Sequence, residues 1–328
     1  MQGRTAIVTG GGGSIGSELC RQLAEIDIGR LVIFEHSEPA LYATIDQLKD
    51  IGATVSGHIA DIRDRARIIN LASAIKPDYI FHAAALKHVP ILEKNVCDAV
   101  KTNIFGSINV ADAAAACGAT AMVMISTDKA AEPVSVLGMT KRLAELYCAA
   151  LNYESKTRFL SVRFGNVLAS NGSVMPKFKQ QLERGGPLTV THPDMTRYFM
   201  TIGQSCHLVL QATEHALSDA ESSVYLLDMG SAVRISHLAE NLIRQEGLEP
   251  GRDVQLVYTG MREGERLEEV LTNQGEVMRP TGRPGIMAAE GHHPDLRWLR
   301  LQLAEIEAAL ASNDVDQLRH LLKQSTAI

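Results

Sequence analysis

The chain has 328 residues, 45% of them hydrophobic and 21% charged, with 32 Lys and Arg against 38 Asp and Glu. This composition fits a soluble globular protein with core material for one large or two modest domains, and the net charge of −6 argues against a broad nucleic-acid surface. No apolar run reaches the ~18 residues that cross a bilayer, no signal peptide precedes the first strand, and the five scattered cysteines lack disulfide or metal spacing, so they read as reduced thiols of a cytosolic protein without a metal site.

The first apolar run, Arg4 to Thr9, predicts a short strand. Gly10-Gly11-Gly12-Gly13-Ser14-Ile15-Gly16 follows, and Ser17 starts a helical period with Leu19, Leu23 and Ile26 on one face. Glycines between a strand and a helix let backbone amides approach a pyrophosphate, which the helix N-terminus then favours. The second strand is Arg30 to Phe34, and Glu35 lies 19 positions after Gly16, close to the ~20 expected for a carboxylate on the adenosine ribose. Such a carboxylate accepts from the 2′-hydroxyl and repels a 2′-phosphate, which favours NAD; His36 and Ser37 beside it leave NADP open.

Val55 to Ile59 and Tyr79 to His82 predict the third and fourth strands, the latter followed by Ala83-Ala84-Ala85, small enough for backbone to run close to a cofactor. Ala121 to Ile125 is the fifth, and Ser126-Thr127-Asp128-Lys129 follows it at the carboxyl end, where open α/β sheets place their chemistry. A hydroxyl, a carboxylic acid and an amine arrive there together, a set suited to proton transfer. Lys141 opens a helical run, KRLAELYCAAL, and Phe159 to Arg163 is a sixth strand. Strand and helix alternate throughout, which predicts an α/β fold, a Rossmann-type doubly wound parallel sheet over residues 1–165. From about Arg163 the loops lengthen and Gly, Pro and Asn rise, so residues 166–328 read as a smaller substrate-binding lobe, with some chain crossing back to the first domain, and C-terminal helices. The last stretch, Asp295 to Gln324, has leucines at helical spacing and mixed charge, which suits a packed cap or an oligomer contact better than a membrane surface.

The words STDKA and EPVSVLGMTKRLAE, with the G-x-x-G-x-x-G spacing of Gly10, Gly13 and Gly16, resemble the extended short-chain dehydrogenase/reductases, and within them the UDP-N-acetylglucosamine 4,6-dehydratases of bacterial polysaccharide biosynthesis. The matching motifs extend over roughly residues 4–275. The resemblance implies NAD(P) bound by Gly10, Gly13, Ser14, Ile15, Gly16, Glu35, His36, Ser37, Asp61, Ile62, Ala83, Ala84, Ala85, Asn103 and Lys141. Asp61 and Ile62 would flank the adenine; an Asp capping the next helix is the alternative. Asn103 would brace the active-site backbone, though a buried, satisfied amide reads the same. Asp128 is then the acid, Lys129 the base, and Lys141 holds the nicotinamide ribose. The tyrosine of the family's Tyr-x-x-x-Lys falls on Leu137, so Thr127 with an ordered water is the candidate for the first proton.

On the substrate side the resemblance implies Lys87, Asn166, Ser173, Val174, Arg197, Arg262 and Glu265, the last two as a planar fork on a diphosphate and a carboxylate on a ribose. The rival readings are a solvated loop for Lys87, a structural salt bridge for Arg197 and a surface ion pair for Arg262 with Glu265. Asn171 stands where some relatives carry Arg. The function implied is dehydration of a UDP-sugar with retention at carbon 5, inversion being the variant, by a homo-oligomer in the cytoplasm or by the cytosolic part of an inner-membrane protein. A nucleotide-sugar 4-epimerase and an inactive NAD-binding regulatory protein are the rivals.

Overall fold

Short apolar runs rich in Val, Ile and Ala alternate with amphipathic segments, and in the computed structural model of the chain these runs become parallel strands, largely buried except for the edge strand over Val55–Ile59. The structure describes residues 1–168, 170, 172–218, 222–291 and 294–327. The first half runs β1 (Thr5–Thr9), α1 (Ser14–Glu25), β2 (Arg30–Glu35), α2 (Glu38–Asp50), β3 (Val55–Ile59), α3 (Arg65–Ile75), β4 (Tyr79–His82), the short α4 (Val89–Leu92) and α5 (Val96–Ala99), a π-helical turn (Val100–Gly106), α6 (Ser107–Cys117), β5 (Ala121–Ile125), α7 (Val136–Leu151) and β6 (Arg158–Arg163). The strands stand in the order β3-β2-β1-β4-β5-β6, all parallel. The order reverses at β1 and β4, and the crevice at such a reversal is where this architecture binds ligands.

After β6 the chain leaves the sheet. It forms β7 (Asn166–Val167), α8 (Val174–Glu183), β8 (Leu188–Val190), β9 (Thr196–Arg197), β10 (Phe199–Met200) and α9 (Ile202–Ser218). It then returns: β11 (Val224–Leu227) pairs parallel with β6. A second excursion carries β12 (Val233–Arg234), α10 (Ile235–Gln245) and β13 (Leu256–Tyr258). The antiparallel pair β14 (Val277–Pro280) and β15 (Ile286–Glu290) closes the edge beside β11, making nine strands. The excursions pack around Phe178, Leu188, Val190, Ile235 and Leu242 as a separate small core. Helices α11 (Leu296–Ala311) and α12 (Val315–Thr326) end the chain and bury their leucines against α7.

One sequence expectation needs correction. Lys141 lies in the second turn of its helix, which begins at Val136 because Ser135 caps it: its Oγ accepts from Gly138 N at 3.0 Å. The C-terminal run is two helices, divided at Ser312-Asn313-Asp314, where Asn313 takes φ 55° and Asp314 caps α12 through Gln317 N. The capping alternative for Asp61 falls instead to Asp64, which accepts from Arg67 N at the start of α3.

A buried charge cluster ties the returning chain to the sheet. Arg163, with no exposed surface, donates from Nε and Nη2 to the two oxygens of Glu145 on α7 at 2.9 and 2.7 Å. Its Nη1 and Nη2 also reach Glu276, just before β14, at 2.7 and 2.9 Å, and Arg142 adds a bond to Glu276 at 3.2 Å. Burial alone would raise the Glu276 carboxyl, but the bonds and charge of Arg163 outweigh it and hold the pKa at about 2, against an ordinary 4.5. A carboxylate lowered in this way stabilises the fold above its unfolded pKa, and that stability disappears as pH falls from about 4.5 toward 2. Glu276→Gln should therefore lose about 3 kcal/mol at neutral pH and show a flatter decline of melting temperature between pH 5 and pH 3, while an unchanged decline would remove this cluster from the account of acid stability.

Candidate functional site

The crevice at the sheet's reversal is a cleft of about 560 Å³, lined by Gly10, Gly13, Glu35, His36, Ser37, Asp61, Ile62, Ala83, Ala84 and Ala85. All ten come from the sequence-based set. Gly12, from the same glycine run, also lines it, as do Arg63, Leu86, Asp98 and Thr102, which carry no local motif that would have marked them. The turn needs its glycines for space. A Cβ on Gly10 would stand 2.6 Å from Ala84 Cα, and one on Gly16 would stand 2.1 Å from Gly10 O. At Gly13, at the N-terminus of α1, a Cβ would meet Gly10 O at 3.3 Å, a tight contact that falls short of those clashes. Ser14 and Ile15 form the first turn of that helix.

Glu35 ends β2 at the far side of the cleft. Its Oε2 accepts from Gly12 N, and its Oε1 from His36 N and Ser37 N, each at 3.0 Å. Asp61 is held by Arg63, whose Nε lies 2.9 Å from Oδ2, and those bonds keep its carboxyl below the usual range. A glycine turn too tight for side chains, a carboxylate at the end of β2 and small residues along β4's exit are the features a dinucleotide needs. Asn103 stands one layer behind the wall. Its amide accepts from Leu86 N and donates to Leu86 O and Thr140 Oγ1 at 2.9, 3.0 and 3.2 Å, so it joins the cleft wall to α7.

At the end of β5, backbone bonds lock the reactive segment to β6: Ser126 N donates to Val162 O and Asp128 N to Phe164 O. Ser126 Oγ donates to Glu145 at 2.6 Å. Asp128 is buried. Its Oδ1 accepts from Thr127 Oγ1 at 2.9 Å and from Lys129 Nζ at 3.0 Å. Its Oδ2 is buried with no partner among the described residues, 3.1 Å from where a Cβ on Gly165 would stand. Lys129 Nζ also meets Glu269 at 3.0 Å and Asn166 Oδ1 at 3.4 Å. Burial disfavours the ammonium, but Asp128 and Glu269 outweigh it and raise its pKa. Lys141 is buried in α7 and goes the other way, down to about 8 by burial, against the opposing charge of Glu145. Leu137, one turn before it, is buried and apolar.

Glu269 is the residue that sequence reasoning missed. It pairs with both Lys129 and Arg197, whose Nε lies 3.1 Å away. Arg197 also donates to the carbonyls of Thr196 and Leu267, so the structural salt bridge describes its contacts. The repeated acidic pair in RLEEVL was the available signal, but nothing local says which Glu turns inward.

The remaining substrate-side residues surround the first turn of α8. Ser173 is its N-cap residue, with Oγ buried and unpartnered among the described residues, and Val174 begins the helix. Lys87 Nζ donates to Ser170 Oγ at 3.3 Å, and burial lowers its pKa. The turn carrying Arg262 and Glu265 is closed by its own backbone, with Arg262 N donating to Glu265 Oε2 at 3.1 Å. Lys177 on α8 feels both: burial lowers its pKa, Arg262 adds to that, and Glu265 opposes it. Lys177 and Arg262 thus form a cationic pair that sequence reasoning did not single out. Asn171 lies outside the described residues.

The chain matches the family described as polysaccharide biosynthesis protein over residues 6–291. It is 47% identical over 281 residues to the capsular polysaccharide biosynthesis protein CapD of Staphylococcus aureus, covering 84% of this chain and 46% of that protein, so it spans about half the length of that relative. It is 32% identical to a UDP-glucose 4-epimerase of Rickettsia bellii, covering 84% of this chain and 80% of that one. Among solved structures, Pen from Bacillus thuringiensis superposes with a TM-score of 0.78 at 29% identity, over 88% of this chain and 87% of that one. The dTDP-glucose 4,6-dehydratase DesIV from Streptomyces venezuelae, solved with NAD and TYD bound, superposes at 0.69 with 21% identity, over 81% and 88%, and bears on the fold alone. A doubly wound sheet with a glycine turn, a Ser-Thr-Asp-Lys rim and these matches together place the chain in the polysaccharide biosynthesis protein family of extended short-chain dehydrogenase/reductases.

Proposed function

We propose that this chain is a nucleotide-sugar 4,6-dehydratase that uses NAD, acting on UDP-N-acetylglucosamine to give UDP-2-acetamido-2,6-dideoxy-hexos-4-ulose with retention at carbon 5, for surface glycan synthesis. The observation that carries this reading is the enclosed Thr127-Asp128-Lys129 constellation at the end of β5, next in the sheet to the strand that lines the cleft. The cofactor is NAD, which when bound takes a hydride from sugar carbon 4 and returns it to carbon 6. Gly10, Gly13 and the start of α1 hold its pyrophosphate, Glu35 a ribose, and Lys141 the nicotinamide ribose.

The protein's own task is proton handling. Thr127, in place of the phenol that Leu137 lacks, relays the carbon-4 hydroxyl proton through an ordered water to solvent. Lys129 then removes the carbon-5 proton while Asp128 protonates the carbon-6 hydroxyl, which leaves as water, and the Lys129 ammonium returns the proton to carbon 5 as hydride reaches carbon 6. As an ion pair 3.0 Å apart, Lys129 and Asp128 hold one transferable proton between them. Its movement from Nζ to Oδ1 yields a neutral amine and a carboxylic acid, the two forms these roles require. Glu269 opposes that movement by favouring the ammonium. Arg262 and Lys177 complement the diphosphate, Glu265 the nucleotide ribose, and Lys87, Asn166, Arg197 and the start of α8 at Ser173 and Val174 border the sugar and base.

The identity to a Rickettsia 4-epimerase supports a second reading, in which the ketone is reduced at carbon 4 without loss of water. Product NMR after incubation with UDP-N-acetylglucosamine separates the two: a 6-methyl doublet is expected, and a retained 6-hydroxymethyl group with inverted carbon 4 would establish epimerisation.

Asp128→Asn should reduce kcat by roughly 10²–10⁴-fold if it is the general acid, and Thr127→Val should slow the oxidative half-reaction, followed as NADH absorbance in single turnovers. An undiminished rate in Thr127→Val removes that hydroxyl from the mechanism. Glu269→Gln supplies a pH test. Loss of this carboxylate lowers the Lys129 pKa, so with Lys129 as base the rising limb of kcat/KM moves to lower pH. A shift confined to the falling limb would instead make Lys129 the acid.

A further inference from the structure

Helices α11 and α12 lie beyond residue 291, where the family match ends, yet one of their side chains reaches the scaffold of the site. Glu93, just after α4, is a buried carboxylate. Its Oε1 accepts from the N–H of Val136, the first residue of α7, at 2.7 Å. Its Oε2 accepts from Arg319 Nη1 of α12 at 2.8 Å, and Arg319 Nη2 donates to the Glu93 carbonyl. The turn that holds Arg262 and Glu265 rests on the same carboxylate. Gly264 takes φ +76°, and a Cβ there would stand 2.6 Å from Glu93 Oε1 and 3.0 Å from Ser135 Cβ. Arg319 Nη1 also lies 3.5 Å from Glu263 Oε1 in that turn.

Three elements therefore meet on one buried charge: the start of the helix carrying Lys141, the 262–265 turn, and α12. Without the guanidinium, Glu93 would keep one backbone donor for a carboxylate shut away from water, and a buried charge so under-satisfied moves toward solvent. The turn is what packs against that carboxylate, at Gly264. We propose that Glu93 and Arg319 are positioning residues, a clamp that fixes the 262–265 turn against α7 and makes the C-terminal helix pair a working part of the nucleotide-sugar site. This inference rests on the assignment of that turn to the nucleotide. The planar fork is essential to it, because Arg319 serves a carboxylate and a carbonyl at once, which an ammonium does not match.

The test is calorimetric titration of the whole chain with UDP and, separately, with NAD. Arg319→Gln should weaken UDP binding about tenfold and NAD binding less than about threefold, with Arg319→Lys between wild type and Gln. A clamp of merely general structural value would lower both affinities together with the melting temperature, and that result overturns the proposal, as does unchanged UDP affinity in Arg319→Gln. Where Arg319→Gln does not fold, Glu263→Ala, at an exposed side chain, carries the test: about threefold weaker UDP binding is expected, and wild-type affinity overturns the clamp. A wild-type chain that binds NAD but not UDP overturns the nucleotide assignment of the turn, and the clamp with it.

Discussion

The structure depends on charge taken out of water and satisfied there. Arg163 reaches the edge of the sheet's chemistry with no exposed surface, and it is tolerable only because Glu145 and Glu276 present four oxygens to it. Removing one partner of such a group leaves an uncompensated charge, at a cost of about 3–5 kcal/mol. The three residues come from β6, from α7 and from the segment before β14. Their union fixes the distance between the central sheet, the helix of Lys141 and the chain that returns from the smaller lobe. Ser126 joins the same cluster through Glu145, so the rim segment is held from beneath as well as by its backbone bonds to β6.

A rigid rim has an electrostatic consequence. Asp128 and Lys129 do not search for one another; they are placed at 3.0 Å by a backbone with few freedoms left. Glu269 then approaches from the smaller lobe and binds both Lys129 and Arg197. The charge state of the rim thus depends on how that lobe stands against the sheet. Substrate held between the two parts would meet the lysine and its carboxylates at their junction, and reorganisation there would be small, which is the condition under which fixed charges assist a reaction most.

Much of this was legible in the sequence, for reasons that differ by element. Strands β4 and β5 match their apolar runs residue for residue, because a strand buried on both faces reads as continuous hydrophobicity, while β3, at the sheet's edge and partly exposed, matches its expected bounds without that signal. Eight of the ten cleft residues were legible because glycine spacing, an acidic strand end and an alanine triplet are all local, while Asp61 and Ile62 were reached only through the family resemblance. The start of α7 was misread because the helical period was counted from its charged residues, while the boundary is set by the cap at Ser135. The edge strands β14 and β15 and the inward turn of Glu269 had no local signal. They are decided by partners more than 50 residues away, such as β11 for β15 and Lys129 for Glu269. The same holds for Glu93 and Arg319, which are 226 residues apart.

The replacement of the family's tyrosine by Leu137 is best understood through the two lysines. In the usual pattern, a lysine charge makes the phenol four residues earlier acidic. Here Lys141 stays while the phenol is gone. Burial among apolar neighbours takes it down to about 8, and its charge adds to the burial that leaves His82 neutral in a chain between Thr9 and Ser107. Lys129, twelve residues earlier in the sequence, is pushed up by two carboxylates. Two groups of one chemical type are thus driven in opposite directions at one sheet edge, Lys129 toward its ammonium form and Lys141 toward its amine. An aliphatic side chain at position 137, buried one turn before Lys141, is compatible with that division and leaves the hydroxyl and carboxylate of Thr127 and Asp128 as the oxygen groups bonded to each other at the end of β5.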